Sequence, residues 1–507
     1  MMMYSPQKLH PISYITGIID VIKQNIFLVI IFVFFQMKDF DFTKLSNYIA
    51  PAIVTFFFLI GFVKRVIEVF KTRYWIEDNH FIVTSGLFNY ERKELNIRRI
   101  QSIDTTQNLV HQIVGGVRLI IKTPSDGIDL ETVTKEQSER IRLELERLKS
   151  ELLNANEINQ KEESEQTEEP GSMTYSEPQN ETIYELSTRN LLLMAMTSGA
   201  IFVALLTIGP LFGSINEVIP WDIIGHRLGS LFQTAINTTI FVVITILIIS
   251  YIVGVLINFI RYFGYTLRRK GELLNIRYGL LSVRHVTVPI SKIQAVVEEQ
   301  SFIQRLFGYT SFKFIITSDM ETDVEDESVS GHVMVLPFIK RNEAITILRE
   351  LVPTMLFTGV EKGLPWRGFH RRFWIQSIAL IIIGGVVYYY LAKWVWIPIT
   401  FIIIVFMIHS LLAVLKSGMN VLEEEVIVRK VKLFSFETSY INRDKVLGFK
   451  QMSHPLMKRA VLAHFDFVIA SGATHDKIGL KFVNLNNVKH YHEWYIGGDY
   501  QDEENES

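Results

Sequence analysis

The side chains equipped for chemistry are few and scattered. His490 and His492, followed at once by Glu493, are metal-ligand types, and the acidic run from Asp319 to Glu327 offers the oxygens a divalent cation prefers. Neither set has a supporting pattern: the histidines sit on a terminal segment crowded with aromatics, and the acidic run lacks the EF-hand spacing. A solvated hairpin loop is the plainer meaning of that run. His454, His464 and His475 fit surface or loop positions, while His409 falls near the end of an apolar stretch. The chain contains no G-x-x-x-x-G-K-[ST] loop, no G-x-G-x-x-G after a strand, no H-E-x-x-H and no G-x-S-x-G elbow. With no cysteine, disulfides, thiolate zinc sites, Fe–S clusters and cysteine nucleophiles are excluded. The expectation is therefore a protein that is not an enzyme and needs no cofactor or metal.

What the charged residues do offer is contact. Arg92, Lys93, Arg98 and Arg99 form one basic set, Lys292 and Arg305 a second, and Arg443, Lys445, Lys458 and Arg459 a third. Arg98, Arg99, Lys292, Arg305, Arg443 and Lys445 are the candidate contacts for anionic headgroups or for a partner protein. Attraction of a basic side chain to a charged membrane surface is worth about 1 kcal/mol per charge. Ordinary solvated or positive-inside charge is the commoner reason for such residues. Lys+Arg of 51 against Asp+Glu of 53 leaves a formal net charge of -2, which does not suit a nucleic-acid binder.

The elements that must position these residues begin with apolar runs. The chain has 507 residues, 49% of them hydrophobic, and the excess is clumped into stretches of roughly 20 residues, the span of a bilayer core. Six such stretches group as three hairpins, at residues 14–70, 187–262 and 370–415. Lys64, Arg65, Lys71 and Arg73 close the first pair, Arg261, Arg268, Arg269 and Lys270 close the second, and Arg367, Arg371 and Arg372 introduce the third. By the positive-inside rule the long polar segments and both termini are cytoplasmic. The links within pairs are short, and the longest, around Pro220 and Trp221, is amphipathic enough to lie on the outer leaflet.

The polar segments repeat. A shift of 193 residues carries Gly86-Leu87 onto Gly279-Leu280, Ile100-Gln101 onto Ile293-Gln294 and Gly115 onto Gly308. A further shift of 153 carries Phe312, Phe314 and Ile316 onto Phe465, Phe467 and Ile469, though this third copy lacks the matching glycines. Within each copy apolar residues alternate with period two, as at Val117, Leu119 and Ile121, which predicts half-buried antiparallel strands. Thr134 followed by Gln137 has capping-box spacing and opens a helix with Ile141, Leu145 and Leu148 on one face. About seven short strands and one terminal helix make a small barrel or sandwich at 71–153, 263–352 and 416–496. Residues 154–186 are acidic and short of aromatics, predicting a disordered linker, and 497–507 form a tail of the same kind.

A membrane hairpin, then I-x-x-I-Q, then a short helical turn ending in glycine resembles the bacterial pleckstrin-homology-like domain family. Ile97 to Gln101, Ile290 to Gln294, Val110 to Gly115 and Phe302 to Gly308 carry the likeness. Three such modules behind their own hairpins are similar to the YdbT-like multi-pass membrane proteins of bacteria. The resemblance implies an antiparallel barrel closed by a C-terminal helix, in the plasma membrane with cytoplasmic modules. It implies as partner a smaller membrane protein carrying one PH-like module, and a part in envelope stress or in resistance to antimicrobial peptides such as bacteriocins. The competing class is a transporter or lipid-handling protein, against which stands the scarcity of midplane charge, since Lys23 and Glu68 lie near span ends.

Overall fold

The computed structural model describes residues 4–11, 13–17, 21, 49–86, 90–123, 127–162, 181–197, 235–317, 331–390, 396–472 and 474–497. The first repeat contains β1 (Gln7–Lys8), α1 (Ile49–Lys71), β2 (Arg73–Glu77), β3 (His80–Ser85), β4 (Glu91–Asn96), β5 (Ser102–Gln107), α2 (Leu109–Val114), β6 (Gly116–Lys122), β7 (Gly127–Thr134) and α3 (Lys135–Glu162). The second contains β8 (Glu181–Glu185), α4 (Thr188–Thr197), α5 (Ala235–Tyr262), β9 (Thr266–Lys270), β10 (Leu273–Tyr278), β11 (Val283–Pro289), β12 (Ile293–Ser301), α6 (Phe302–Leu306), β13 (Tyr309–Ile316), β14 (His332–Lys340) and α7 (Arg341–Leu351). The third contains β15 (Glu361–Lys362), α8 (Phe369–Tyr390), α9 (Trp396–Lys416), β16 (Gly418–Val421), β17 (Glu425–Val431), β18 (Ser435–Asn442), β19 (Val446–Met452), α10 (Pro455–Arg459), β20 (Leu462–Ser471), β21 (Thr474–Asn484) and α11 (Leu485–Ile496).

Among the described residues, two helices are long and apolar enough to cross a bilayer, Trp366–Tyr389 and Ile399–Lys416, with Leu247–Tyr262 a shorter apolar helix. The expectation of six spans is neither met nor contradicted by these helices, because other apolar stretches lie largely outside the described residues. Much of 14–48 and of 198–234 lies outside the described residues, as do the loop around Trp221 and the acidic run from Asp319 to Glu327.

Among the described residues, each repeat has six strands after its apolar helices and one short strand before them. That leading strand pairs with the first strand that follows the helices: Lys8 with Arg73, Glu185 with Thr266, and Lys362 with Gly418. The apolar helices are thus an insertion between two hydrogen-bonded neighbours, so both of their stems are fixed to one sheet. The sequence reading of 154–186 as a disordered linker is corrected at both ends: α3 runs on to Glu162, and β8 is a paired strand. Composition registers polarity, but it is blind to a distant strand that satisfies the backbone.

The chain divides into two compact units. Of the described residues, one unit holds those up to 162 together with Leu273–Pro289, and the other holds Glu181–Glu272 and those from Ile290 onward. In the first, Tyr74, Ile76, Phe81, Leu119, Ile121 and Leu130 form the apolar interior, closed by Ile141 and Leu145 of α3. The capping box forms as its spacing predicts, Gln137 N–H donating to Thr134 Oγ1 and Thr134 N–H to Gln137 Oε1. In the second unit Phe465, Phe467, Ile469 and Val488 share one interior with Ala295, Val297 and Ile315. Burying each such large side chain stabilises the fold by about 1.5–3 kcal/mol.

Candidate functional site

The repeats are not separate barrels. In the first unit β5 pairs with β6 on one side and with β11, a strand of the following repeat, on the other, with Thr105 opposite His285. In the second unit β12 pairs with β13 and with β18, with Glu298 opposite Thr438. The 193-residue shift takes Thr105 to Glu298, and the 153-residue shift takes His285 to Thr438. Both joints therefore have the same register: the fourth strand of one module accepts the third strand of the next.

A buried acid secures each joint. Asp104 on β5 accepts the Thr287 N–H of β11 at 2.8 Å, and Lys122 Nζ lies 2.8 Å from its other oxygen. Glu298 on β12, 3% exposed, accepts from Arg341 Nε at 2.8 Å, from Tyr440 Oη of β18 at 3.1 Å and from Thr310 Oγ1 at 3.2 Å. A desolvated carboxylate is tolerable only with such partners. One step along, Glu299 and Glu437 face each other across the joint, a repulsive arrangement by itself. Lys313 reaches Glu299 at 2.6 Å, and Lys430 reaches Glu437 at 2.6 Å with Lys432 also paired to it. Burial pushes the Glu437 carboxyl up, but Lys430 and Lys432 outweigh burial and hold it below the usual carboxylate range.

The basic candidates fall at two opposite ends of the modules. Arg98 and Arg99 lie on the 3-10 turn Ile97–Arg99, Lys292 on Ile290–Lys292, and Arg443 and Lys445 on Arg443–Lys445. Each turn is bonded to the first strand turn of its module, Ile97 N–H to Asn79, Ile290 N–H to Glu272 and Arg443 N–H to Glu424. Those strand turns stand one strand, about 15–20 Å at ~3.3 Å per residue, beyond the helix ends. Arg443 also lies over the Trp494 ring at 5.9 Å, and Lys445 pairs with Asp444 at 2.9 Å.

Arg305 is at the other end. It belongs to α6, where Ser301 Oγ donates to the Thr197 carbonyl at the end of α4 and Phe302 packs with Leu412 and Ala413 of α9. Its guanidinium lies 4.4 Å over the Phe436 ring. Beside it Leu306, 81% exposed, and Phe307 point away from the protein. The equivalent short helices expose Ile113, also 81%, and Leu456, the latter next to Lys458 and Arg459. At α6 the exposed Leu306 and Phe307, beside Arg305 and a helical stem, suit the headgroup layer. Sequence reasoning missed these tips because a helix of one turn has no periodic face; the signal was an apolar pair, Leu306-Phe307, directly before a turn glycine.

The remaining candidates have ordinary surroundings. His490 Nδ1 is 3.7 Å from Glu493, the His492 ring lies tilted 5.2 Å from that of Phe449, and His409 contacts the Val431 carbonyl at 3.2 Å. Among the described residues, no cluster of three or more metal-ligand side chains occurs.

Comparison with known proteins gives two findings. A family model described as "Bacterial PH domain" matches residues 26–149 and 203–353. The UPF0699 transmembrane protein YdbT of Bacillus subtilis (strain 168) is 27% identical over 389 residues, covering 75% of this chain and 77% of that protein. No solved structure matches the chain.

Proposed function

The chain belongs to the bacterial PH domain family, and from that premise, with its likeness to a transmembrane protein, we propose that it is a non-enzymatic scaffold of a membrane complex. Three modules, each on its own helical hairpin, hang on the cytoplasmic side of the plasma membrane of a bacterium, six spans in all. The observation that carries this reading is the strand-to-strand joining of consecutive modules, which makes the fold a device for aligning sheets edge to edge beneath a bilayer. Fixing both stems of a hairpin to neighbouring strands supports it, because the module's height below the membrane is then set without any lipid affinity.

The partner is a smaller membrane protein with a single PH-like module, held beside bilayer lipids that include anionic headgroups. The process is envelope stress, in the form of resistance to membrane-active antimicrobial peptides such as bacteriocins. Aligned docking surfaces raise the effective concentration of a multivalent partner. Extraction of the tagged chain in a mild detergent, followed by mass spectrometry, should recover a stoichiometric small membrane protein. Deleting the gene should raise sensitivity to pore-forming peptides, with restoration by the full chain. Recovery of the chain alone would count against the scaffold, and unchanged peptide sensitivity against the process.

A further inference from the structure

A row of modules joined fourth strand to third strand leaves one strand of each type unused at its ends. Here they are β19, the fourth strand of the last module, and β4, the third strand of the first. Among the described residues β19 pairs with β20 alone, and β4 with β3 alone. Their joined counterparts are largely covered: six of the nine residues of β12 are buried, and six of the eight of β18. By contrast four of the seven residues of β19 are exposed, Leu447 and Lys450 to Met452, and none is buried. The bulge at the start of β19, between Val446 and Gly448, is no obstacle, because β12 has one at the same place and still accepts β18 from Ala295 onward.

The two free edges differ in chemistry. β4 presents Glu91, Arg92, Lys93 and Glu94, already engaged with one another: Arg92 with Glu94 at 2.6 Å and Lys93 with Glu91 at 3.6 Å. Charges of this kind blunt an edge against further pairing. β19 carries one charge, Lys450, opposite Asp466 of β20; Phe449 packs against the interior, the Leu447 carbonyl accepts from Tyr495 Oη at 3.3 Å, and Gln451 and Met452 are exposed. Transferring the register of the two joints onto a second copy would set Lys93 opposite Lys450 and Arg92 opposite Gln451, which is repulsive. The position of Lys450 is that of Asp104 in the first joint, and that of Gln451 is Glu298 in the second. Where the internal joints bury an acid on the accepting strand, the free edge offers a base.

We propose that β19 is a docking edge that accepts, antiparallel, the third strand of a PH-like module in a separate membrane protein, with an acidic side chain of that strand facing Lys450. The proposal rests on the scaffold reading and names the surface through which the scaffold works. Strand addition of this type takes its affinity from main-chain hydrogen bonds and its specificity from the facing side chains.

The test uses the full chain in native membranes with the photo-crosslinking residue p-benzoylphenylalanine placed at Gln451 or at Glu94, followed by identification of the crosslinked peptides. The expected result is a crosslink from Gln451 to the third strand of a PH-like module in another protein, and little product from Glu94. Lys450→Glu, at an exposed position, should lower recovery of that protein about tenfold, one charge reversal being worth roughly 1.4 kcal/mol. A Gln451 crosslink to a second copy of this chain would overturn the proposal, as would undiminished recovery with Lys450→Glu. If a membrane protein co-purifies but crosslinks only elsewhere, the docking edge falls and the scaffold stands; if none co-purifies, both fall.

Discussion

The two joints share a register but are built to different strengths. Between β5 and β11 three residue pairs are aligned, Val283–Gln107 to His285–Thr105, and the fixing contacts are the Asp104–Thr287 bond and Ser282 Oγ to Asn108. Between β12 and β18 seven pairs are aligned, Ala295–Ile441 to Ser301–Ser435, with Arg341 and Tyr440 closing on Glu298 and an apolar interior common to both modules. A short polar joint opens at lower free energy than a long one backed by a core. The difference teaches that the same strand exchange can serve as an adjustable link or as a rigid one, according to what packs behind it.

The largest expected effect comes from breaking the stronger joint. Arg341→Met would leave Glu298 buried without its cation, at a cost of about 3 kcal/mol, the low end for a buried pair because Arg341 is about one-third exposed. Unfolding of the solubilised protein by urea, with hydrogen exchange at the β18 amides, measures it; protection unchanged from the parent would contradict the role given to Glu298. Asp104→Asn in the weaker joint should cost about 2 kcal/mol, since Lys122 loses its partner in a site where both are nearly covered. Hydrogen exchange should then speed up in β11 and leave β18 as it was. In the parent protein, β11 amides should already exchange faster than β18 amides, and the reverse order would remove the distinction between the joints.

Acid provides a third way to separate the regions. Burial, with Lys481 and Arg372 nearby, lowers the His464 imidazole to about 4, and its Nδ1 accepts the Phe482 N–H at 2.8 Å, so the folded state holds the neutral ring. An unfolded histidine takes up its proton near pH 6.5. The folded protein therefore binds fewer protons between these values. The stability contributed is complete above about pH 6.5, falls as pH drops toward 4, and levels off below that. The loss should appear in the β20–β21 region of the second unit, and His464→Gln should flatten the pH dependence there. Further loss below the ordinary carboxylate range is expected from Glu437 at the stronger joint, as protonation releases Lys430 and Lys432.

The smallest expected effect is a gain. Where the first two modules end their short helix with Gly115 and Gly308, at φ of 71° and 72°, the third has Val461 at φ 54°. A β-branched residue is strained in that left-handed conformation. Val461→Gly should stabilise the third module by about 1 kcal/mol, seen as a higher midpoint in thermal unfolding. No gain would mean that contacts of the valine side chain offset its backbone strain.

Much of the local structure was legible. Period-two alternation located β6, β13 and β20, Thr134 and Gln137 located the start of α3, and the short turns before Gly115 and Gly308 emerged as α2 and α6. The absent glycine that marked the third copy as divergent is the strained Val461. The candidate contacts were less legible. Arg98, Arg99, Lys292, Arg443 and Lys445 stood out because they are charged, and they lie a strand's length from the helix ends. Arg305 alone of the six stands at the stems, beside apolar residues that no periodicity singled out.

By itself the sequence determined the apolar runs, the strands, the turns and the closing helices, because each depends on residues a few positions apart whose side chains bias the local backbone. Only the tertiary structure decided that β1, β8 and β15 pair across the inserted helices, that β5 takes β11 and β12 takes β18, and that β4 and β19 are left over among the described residues. The reason is physical: a strand's neighbour is chosen by backbone N–H and C=O groups that every residue carries alike, so pairing between distant segments leaves almost no mark on residue type.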